Sequence, residues 1–467
     1  MLANLARRLL TLALVFIIGV ALGALHPPLR GFINQQVENT LGFFAGHPLE
    51  RDTTAWQKVQ NDLGLAPWRA LREGSMSTTF AFNEVSTPAE LSTAFSESVI
   101  ELYVDPAAAA LADYAGLLIK TQVDSERGYS PALLAIGFDA RLHRLIPLRP
   151  GQDCQCDGRP LNYFHIAGDP AEVRLAGNSL VNINSCGHSD WSLPSRYSFH
   201  HYLNNDGDHR QAAFWALDAT DLVHIDTASG RVIERISISE IINANSDLPL
   251  FEARLKGTRP ERWQYGDAGF DPVGRTHAEV EHADPDPFHT NDVDEYLGSD
   301  SGVFQRGDLL LSFRSLNLLL AVRPATRRIV WYAYGLTSRQ HDPDFVSADA
   351  IMVYDNNFHN PHSRIVLLEA FDTRRQSARF ATRRSELVST VAGHPFQQLI
   401  EGYQFAIDGG RSLVFSAEDY NFGVDLENDH VFLALRHRWR DDAFLAVDVE
   451  RLLTSAELED IASASCR

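Results

Sequence analysis

From about residue 130 to residue 450 the chain alternates short apolar runs with clusters of Gly, Asp, Asn and Pro. Runs of this length, rich in β-branched and aromatic residues and bounded by turn residues, predict strands. Long amphipathic helical patterns are scarce until "DVERLLTSAELEDIAS" near the C-terminus. The pattern also repeats. A strand, a turn and a second strand recur in "LVHIDTASGRVIERIS" at 222–237 and "LLAVRPATRRIVWYAY" at 319–334, with a weaker copy, "LLAIGFDARLHRLIPL", at 133–148. A turn before an apolar strand recurs in "LAGNSLVNIN", "QRGDLLLSFR", "SADAIMVYD" and "AIDGGRSLVFSA". The turns of the strand–turn–strand copies, at 139, 226 and about 323, sit 87 and then about 97 residues apart. Each interval fits two units of about 40–50 residues, the length of a four-stranded propeller blade. The predicted fold class is all-β: a β-propeller over 129–450 with six or seven blades. Two tandem sandwiches are the alternative. In a propeller the innermost strands line a central channel, so residues far apart in sequence, one per blade, meet there.

The two ends differ from this region. Arg7 and Arg8 precede "LLTLALVFIIGVALGAL", an uncharged run at 9–25. At 17 residues it is near the lower limit for spanning a bilayer and long for a signal-peptide core. An uncleaved N-terminal transmembrane anchor over 1–25 is the favoured reading. A cleaved signal peptide and a buried helix are the others. The positive-inside rule places the rest of the chain outside the cytoplasm, which gives a single-pass protein of the inner membrane with its main domain in the periplasm or outside the cell. Residues 26–128 read as a stalk and a small N-terminal extension, and 451–467 as a C-terminal helix. The four cysteines are Cys154, Cys156, Cys186 and Cys466. Export permits disulfides. Cys154 and Cys156 are too close to bridge each other comfortably, so Cys186 pairing with one of them competes with free thiols. The 467-residue chain carries a formal net charge of -20, which excludes nucleic-acid binding by overall field.

Polar residues at corresponding places in successive repeats give the candidate site. "FHHYLNNDGD" holds His200 and His201, and "FHTNDVD" holds His289, Asn291 and Asp292. "LLLSFRSLN" holds Arg314 and Asn317, and "SRQHDPDF" holds His341 and Asp342. Arg314 ends an apolar strand, where a buried guanidinium is costly unless it meets an anion. Histidine can donate to an anion, move a proton or attack. Together these groups suit transfer of a charged group such as sulfuryl or phosphoryl, where catalysis is mostly positioning and stabilisation of charge.

The ordered set "FHTNDVD", "LLLSFRSLN", "RRIVWYAYG", "RQHDPDF" and "IMVYDNNFHNPHSRIV" resembles the bacterial aryl-sulfate sulfotransferases, a family that looks like six-bladed propellers. The resemblance covers about 130–450. It implies an enzyme in which His341 takes a sulfuryl group from an aryl sulfate as a sulfohistidine and passes it to a phenolic acceptor, with no nucleotide sulfate donor, no metal and no other cofactor. By the same resemblance Arg314 and His289 hold the sulfuryl oxygens, His200 assists the phenolic oxygens, and Asn291 orients a histidine or donates to the anion. His200 and His201 are adjacent, and strand alternation turns only one to the channel; His200 is preferred and His201 is kept as a substrate-binding candidate. Residues 26–128 do not match the family's N-terminal β domain.

Each residue also has a blander reading. His341 could be a turn histidine satisfied by Asp342, and Arg314 a structural partner of Asp292. The 204–208 stretch alternates Asn and Asp as calcium loops do, but lacks the downstream Glu. Asp355, Asn356 and Arg364 read as blade structure, Trp331 as packing, and "ENDHVFLALRHRWR" as a charged edge strand. Two rival functions are a non-catalytic propeller that binds a ligand or partner on the same face, and a hydrolase using the same sulfohistidine.

Overall fold

A computed structural model describes residues 80–465 with breaks, the longest at 148–162, 200–211, 251–287 and 371–378. The chain is an all-β propeller. The two blades that position the site are consecutive. One runs antiparallel through Thr290–Glu295, Leu309–Phe313, Leu318–Arg323 and Arg328–Tyr334. The next runs through His341–Ser347, Ala350–Asp355, Arg364–Ala370 and Arg379–Val388. A third, Gln404–Ile407, Ser412–Ala417, Tyr420–Asp425 and His430–Trp439, follows. Strands 163–165, 172–176, 179–184 and 189–194 make a further sheet, and 213–218, 221–226 and 232–237 a three-stranded one.

The core lies in layers between neighbouring blades. Leu310, Leu319 and Trp331 of one blade meet Val353, Val366 and Leu368 of the next, all with essentially no exposure. Strands covered on both faces read as near-continuous apolar runs, which is why "LLLSF" and "LLLAV" lack clean alternation. Trp331 is packing, as its sequence context suggests. At the outer edges, Arg328–Tyr334 pairs in parallel with Arg379–Val388 at Trp331↔Arg379 and Tyr332↔Phe380.

The ring is closed by exchange between the chain's ends. Val447–Leu453 is the first strand of a sheet whose other members are Gly116–Ser125, Gly128–Gly137 and Leu142–Pro147. Conversely, Ser98–Val104 adds to His430–Trp439 over seven paired positions. Ser98–Val104 and Gly116–Ser125, read from the pattern as part of an extension, are therefore strands of the ring. The segment read as a charged edge strand is central: His430–Trp439 is paired on both sides, and Arg436 and Arg438 close on Glu101 across the added strand at 2.7 and 2.8 Å. The C-terminal helix, Ser455–Ser463, is capped by Thr454 and Glu457 in a reciprocal box and buries Leu458 and Ile461.

The anchor, signal-peptide and stalk readings fall on residues before 80, outside the described residues. Among the described residues no helix is long and apolar enough to cross a membrane. Cys186 is disulfide-bonded; its partner also lies outside them, as do Cys154, Cys156 and Cys466.

Candidate active site

His341 opens the innermost strand of its blade and is buried, with 1% exposure. Its position is set by the preceding loop, which is bolted to the neighbouring blade. Asn291 Nδ2 donates to the Gln340 carbonyl over 2.8 Å. The Gln340 side chain donates to Ser312 Oγ at 3.2 Å and to the Leu318 carbonyl at 3.3 Å, and accepts from Thr337 Oγ1 at 3.1 Å. Arg339 N donates to Asn317 Oδ1 over 2.9 Å. On the other side Ser338 N donates to Asp355 Oδ1 over 2.7 Å. The loop thus belongs mechanically to two blades at once.

Arg314 and His289 are joined through the backbone. The strand Leu309–Phe313 ends in a single 3₁₀ turn, Arg314–Leu316, closed by Asn317 in the left-handed conformation. Arg314 N donates to the His289 carbonyl over 3.0 Å. Asn291 is the extra residue of a bulge, because pairing with the next strand skips from Thr290 to Asp292; bulges re-aim side chains in this way. His289 and Arg314 are partly exposed, whereas Asn291 and His341 are buried. Four non-glycine residues of the 341 loop and the turns around it take positive φ: His289, Asn317, Arg339 and Asp342. Such conformations cost of order 1–3 kcal/mol each and persist only where the surroundings over-determine them; the hydrogen bonds above supply that constraint.

The ring chemistry of His341 follows from its partners. Nδ1 lies 2.7 Å from Asn356 Oδ1, and Asn356 Nδ2 donates to the Gln398 carbonyl over 2.8 Å. A carbonyl only accepts, so the amide must present its NH₂ to Gln398 and its oxygen to the ring. The ring must then donate through Nδ1–H. In the neutral imidazole that leaves the lone pair on Nε2. The ring is kept neutral too. Burial pulls its pKa down to about 3; the Asn356 hydrogen bond and the Arg339 backbone oppose this, while repulsion from Arg314 and then His289 adds to it. Both residues therefore act on His341 electrostatically. A buried, neutral imidazole with a fixed Nε2 lone pair beside a guanidinium can attack the centre of an oxyanionic group while the cation holds that group's oxygens.

The structure brings together four of the six residues expected from sequence: His289, Asn291, Arg314 and His341. His200 and His201 lie outside the described residues. Asp342, offered as an alternative partner for His341, accepts instead from Gln404 N over 2.7 Å and ties the inner strand to the following blade. Asp355 and Arg364 form a buried ion pair at 2.8 Å, in keeping with a structural role. Asn356, read from sequence alongside them, differs: it holds the His341 ring. Gln340 lies in "RQHDPDF" but has no role readable there, and Gln398 does not stand out in sequence; for Asn356 a run of polar residues after an apolar strand, "YDNN", is the signal. A cavity of about 370 Å³ lies elsewhere, lined by Val85, Phe95, Ser98 and Leu142 among others, and by none of these residues.

The sequence model of the arylsulfotransferase (ASST) family matches residues 205–421. That segment is thus similar to the family whose ordered motifs the sequence resembles. The matched segment contains His289, Asn291, Arg314, His341 and Asn356, and begins just after His200 and His201. No curated protein matches the chain. Among solved structures, a β-propeller domain of Cps50 (Swd1) from Myceliophteria thermophila aligns at 9% identity and a TM-score of 0.36, covering 69% of this chain and 86% of that one. A functionally unknown protein from Desulfotomaculum acetoxidans DSM 771 aligns at 10% identity and a TM-score of 0.36, covering 72% and 81%. Neither likeness bears on the chemistry of the site.

Proposed function

We propose that this protein transfers a sulfuryl group from an aryl sulfate to a phenolic acceptor through a sulfohistidine at His341, without a nucleotide sulfate donor. The observation that carries the reading is the fixed Nε2 lone pair of a buried neutral imidazole beside Arg314. In the first half-reaction the Nε2 lone pair forms an N–S bond as the S–O ester bond breaks, and the electron pair leaves with the aryl oxygen. In the second, the phenolic oxygen forms the new O–S bond, the N–S pair returns to Nε2, and the phenol's proton balances the aryl oxide released earlier. Arg314 and His289 hold the sulfuryl oxygens, Asn291 fixes the loop that carries His341, and His200, with His201 beside it, serves the phenolic oxygens. The family match over 205–421 supports this class of chemistry.

The same reading includes six blades. Among the described residues five sheet units have four or more strands, two of them joined edge to edge, and the sheet at 213–237 would be the sixth. It also includes a membrane anchor at 1–25 and a location outside the cytoplasm, which the disulfide at Cys186 favours.

The test is the intact mass of the protein after brief exposure to an aryl sulfate. One acid-labile sulfuryl adduct is expected, absent from His341→Ala, and released as a new sulfate ester when a phenol is added. Release only as free sulfate would mean a hydrolase. Turnover that survives His341→Ala would make the nucleophile assignment wrong, and the lack of any adduct would leave a binding propeller as the better reading.

A further inference from the structure

The group that holds the His341 ring carries no charge, although a carboxylate stands next to it in sequence. Asp355 precedes Asn356, but its oxygens are committed elsewhere. Oδ2 accepts from Arg364 Nε at 2.8 Å, and Oδ1 from Ser338 N at 2.7 Å and Asn357 N at 3.1 Å. The chain thus turns the amide, not the acid, toward the ring. The amide is locked in that orientation. Asn356 is 1% exposed. Its own carbonyl accepts from Ser363 Oγ at 3.2 Å, and Ser363 Oγ also meets both the carbonyl and the N–H of Gln398, at 3.1 and 2.9 Å. Turning the amide over would set its oxygen against the Gln398 carbonyl.

The distinction matters once Nε2 carries a sulfuryl group, a step that rests on the function proposed above. The ring then keeps Nδ1–H and bears a positive charge. A carboxylate at Nδ1 would pair with that charge and stabilise the adduct, as a charged partner stabilises an imidazolium. An amide oxygen accepts the same hydrogen bond without neutralising anything, and Arg314 and His289 repel the ring cation.

We propose that Asn356 is a positioning residue that fixes Nε2 as the reacting atom and, being uncharged, keeps the sulfurylated ring labile enough to pass its load to the acceptor. Cleavage of the N–S bond returns the electron pair to Nε2 and discharges the ring, so a ring whose Nδ1 partner is a neutral amide gains more from transfer than one held by a carboxylate. The stabilising partner is withheld from the intermediate and the driving force goes into the second half-reaction.

The experiment uses the full chain, rapid quench with nitrophenyl sulfate, and a chase with phenol, reading adduct formation and adduct transfer separately. In wild-type protein both steps are fast. In Asn356→Asp the adduct is expected to accumulate and its transfer to phenol to slow by about tenfold for each pKa unit by which the carboxylate stabilises the ring cation. In Asn356→Leu the ring loses its acceptor, and adduct formation is expected to slow instead. A merely structural role would slow both steps of both variants alike, and that result overturns the proposal, as does wild-type transfer in Asn356→Asp. Where the variants do not fold, the ¹⁵N shifts of His341 in the wild-type protein decide: a protonated Nδ1 and bare Nε2 uphold the assignment, and the opposite tautomer overturns it. A wild-type chain that forms no adduct removes the sulfohistidine reading itself and this proposal with it, whereas an adduct with unaltered Asn356→Asp kinetics removes the proposal alone.

Discussion

Acidifying the medium from pH 7 to pH 5 should leave the nucleophile intact. An imidazole titrating near 6.5 is about 97% protonated at pH 5, and any step that needs its lone pair would fall about thirtyfold below its plateau. In His341 burial pulls the pKa to about 3, so about 1% is protonated at pH 5 and the step should barely change. The measurement is single-turnover adduct formation on mixing with excess aryl sulfate, whose ester stays anionic over this range. A rate that is flat from pH 7 down to about pH 4 is expected. A rate that falls with an apparent midpoint near 6.5 would refute the argument, since it would mean a ring that water reaches and protons charge. The same displacement has a thermodynamic counterpart with a definite sign. The folded pKa is depressed, so the contribution to stability is full above about 6.5 and is lost as the pH falls toward 3. Between pH 7 and 5 the unfolded chain takes up a proton here that the folded chain refuses, which costs about 2 kcal/mol. His341→Asn should lose that share of the acid sensitivity.

Two further outcomes follow from groups around the site. Asp355→Ala strips the buried partner from Arg364 and frees the Ser338 and Asn357 amides, and should cost about 3–5 kcal/mol in denaturant unfolding; a loss under about 1 kcal/mol would mean that the pair is not needed to hold the 341 loop. Glu450 occupies a bulge in the strand Val447–Leu453, and burial pushes its carboxyl up to about 8, with Lys120 opposing and Asp448 and Asp342 reinforcing the shift. Its raised folded pKa means that the stability it contributes is present below about 4.5 and is lost as the pH rises through about 8, so Glu450→Gln should melt higher than wild type at pH 9 and show a flatter profile between pH 5 and 8. Parallel profiles for the two proteins would exclude the carboxyl as the cause.

What sequence disclosed depended on whether the physics was local. The repeat of turn and apolar strand is local, and it led to the propeller and to innermost strands as the place to look. Arg314 stood out because it ends an apolar strand with a group that is costly to bury, and His289, Asn291 and His341 because they fall at corresponding places in successive repeats and in the ordered motifs. Asn356 did not, because its role depends on Gln398 and His341, 42 and 15 residues away, and nothing in "YDNN" separates the residue that bonds an arginine from the one that bonds a histidine. The assignment of "HVFLALRHRW" to an edge failed for the same kind of reason. Its neighbour, Ser98–Val104, comes from the other end of the chain and pairs with it from Ser98↔Trp439 to Val104↔Leu433, a partnership that no local pattern encodes.

That exchange of strands sets the order of events during synthesis. The strand Ser98–Val104 emerges early but one of its edges waits until His430–Trp439 is made, and one edge of Gly116–Ser125 waits longer still, for Val447–Leu453. Until then each exposes backbone donors and acceptors of the kind that join one chain to another. The ring is therefore a device that stays open until Val447–Leu453 has been made. A chain ending before residue 447 would possess every residue of the candidate site and still lack the strand that makes the circle, so the risk of aggregation falls on nascent and truncated chains and not on the finished protein.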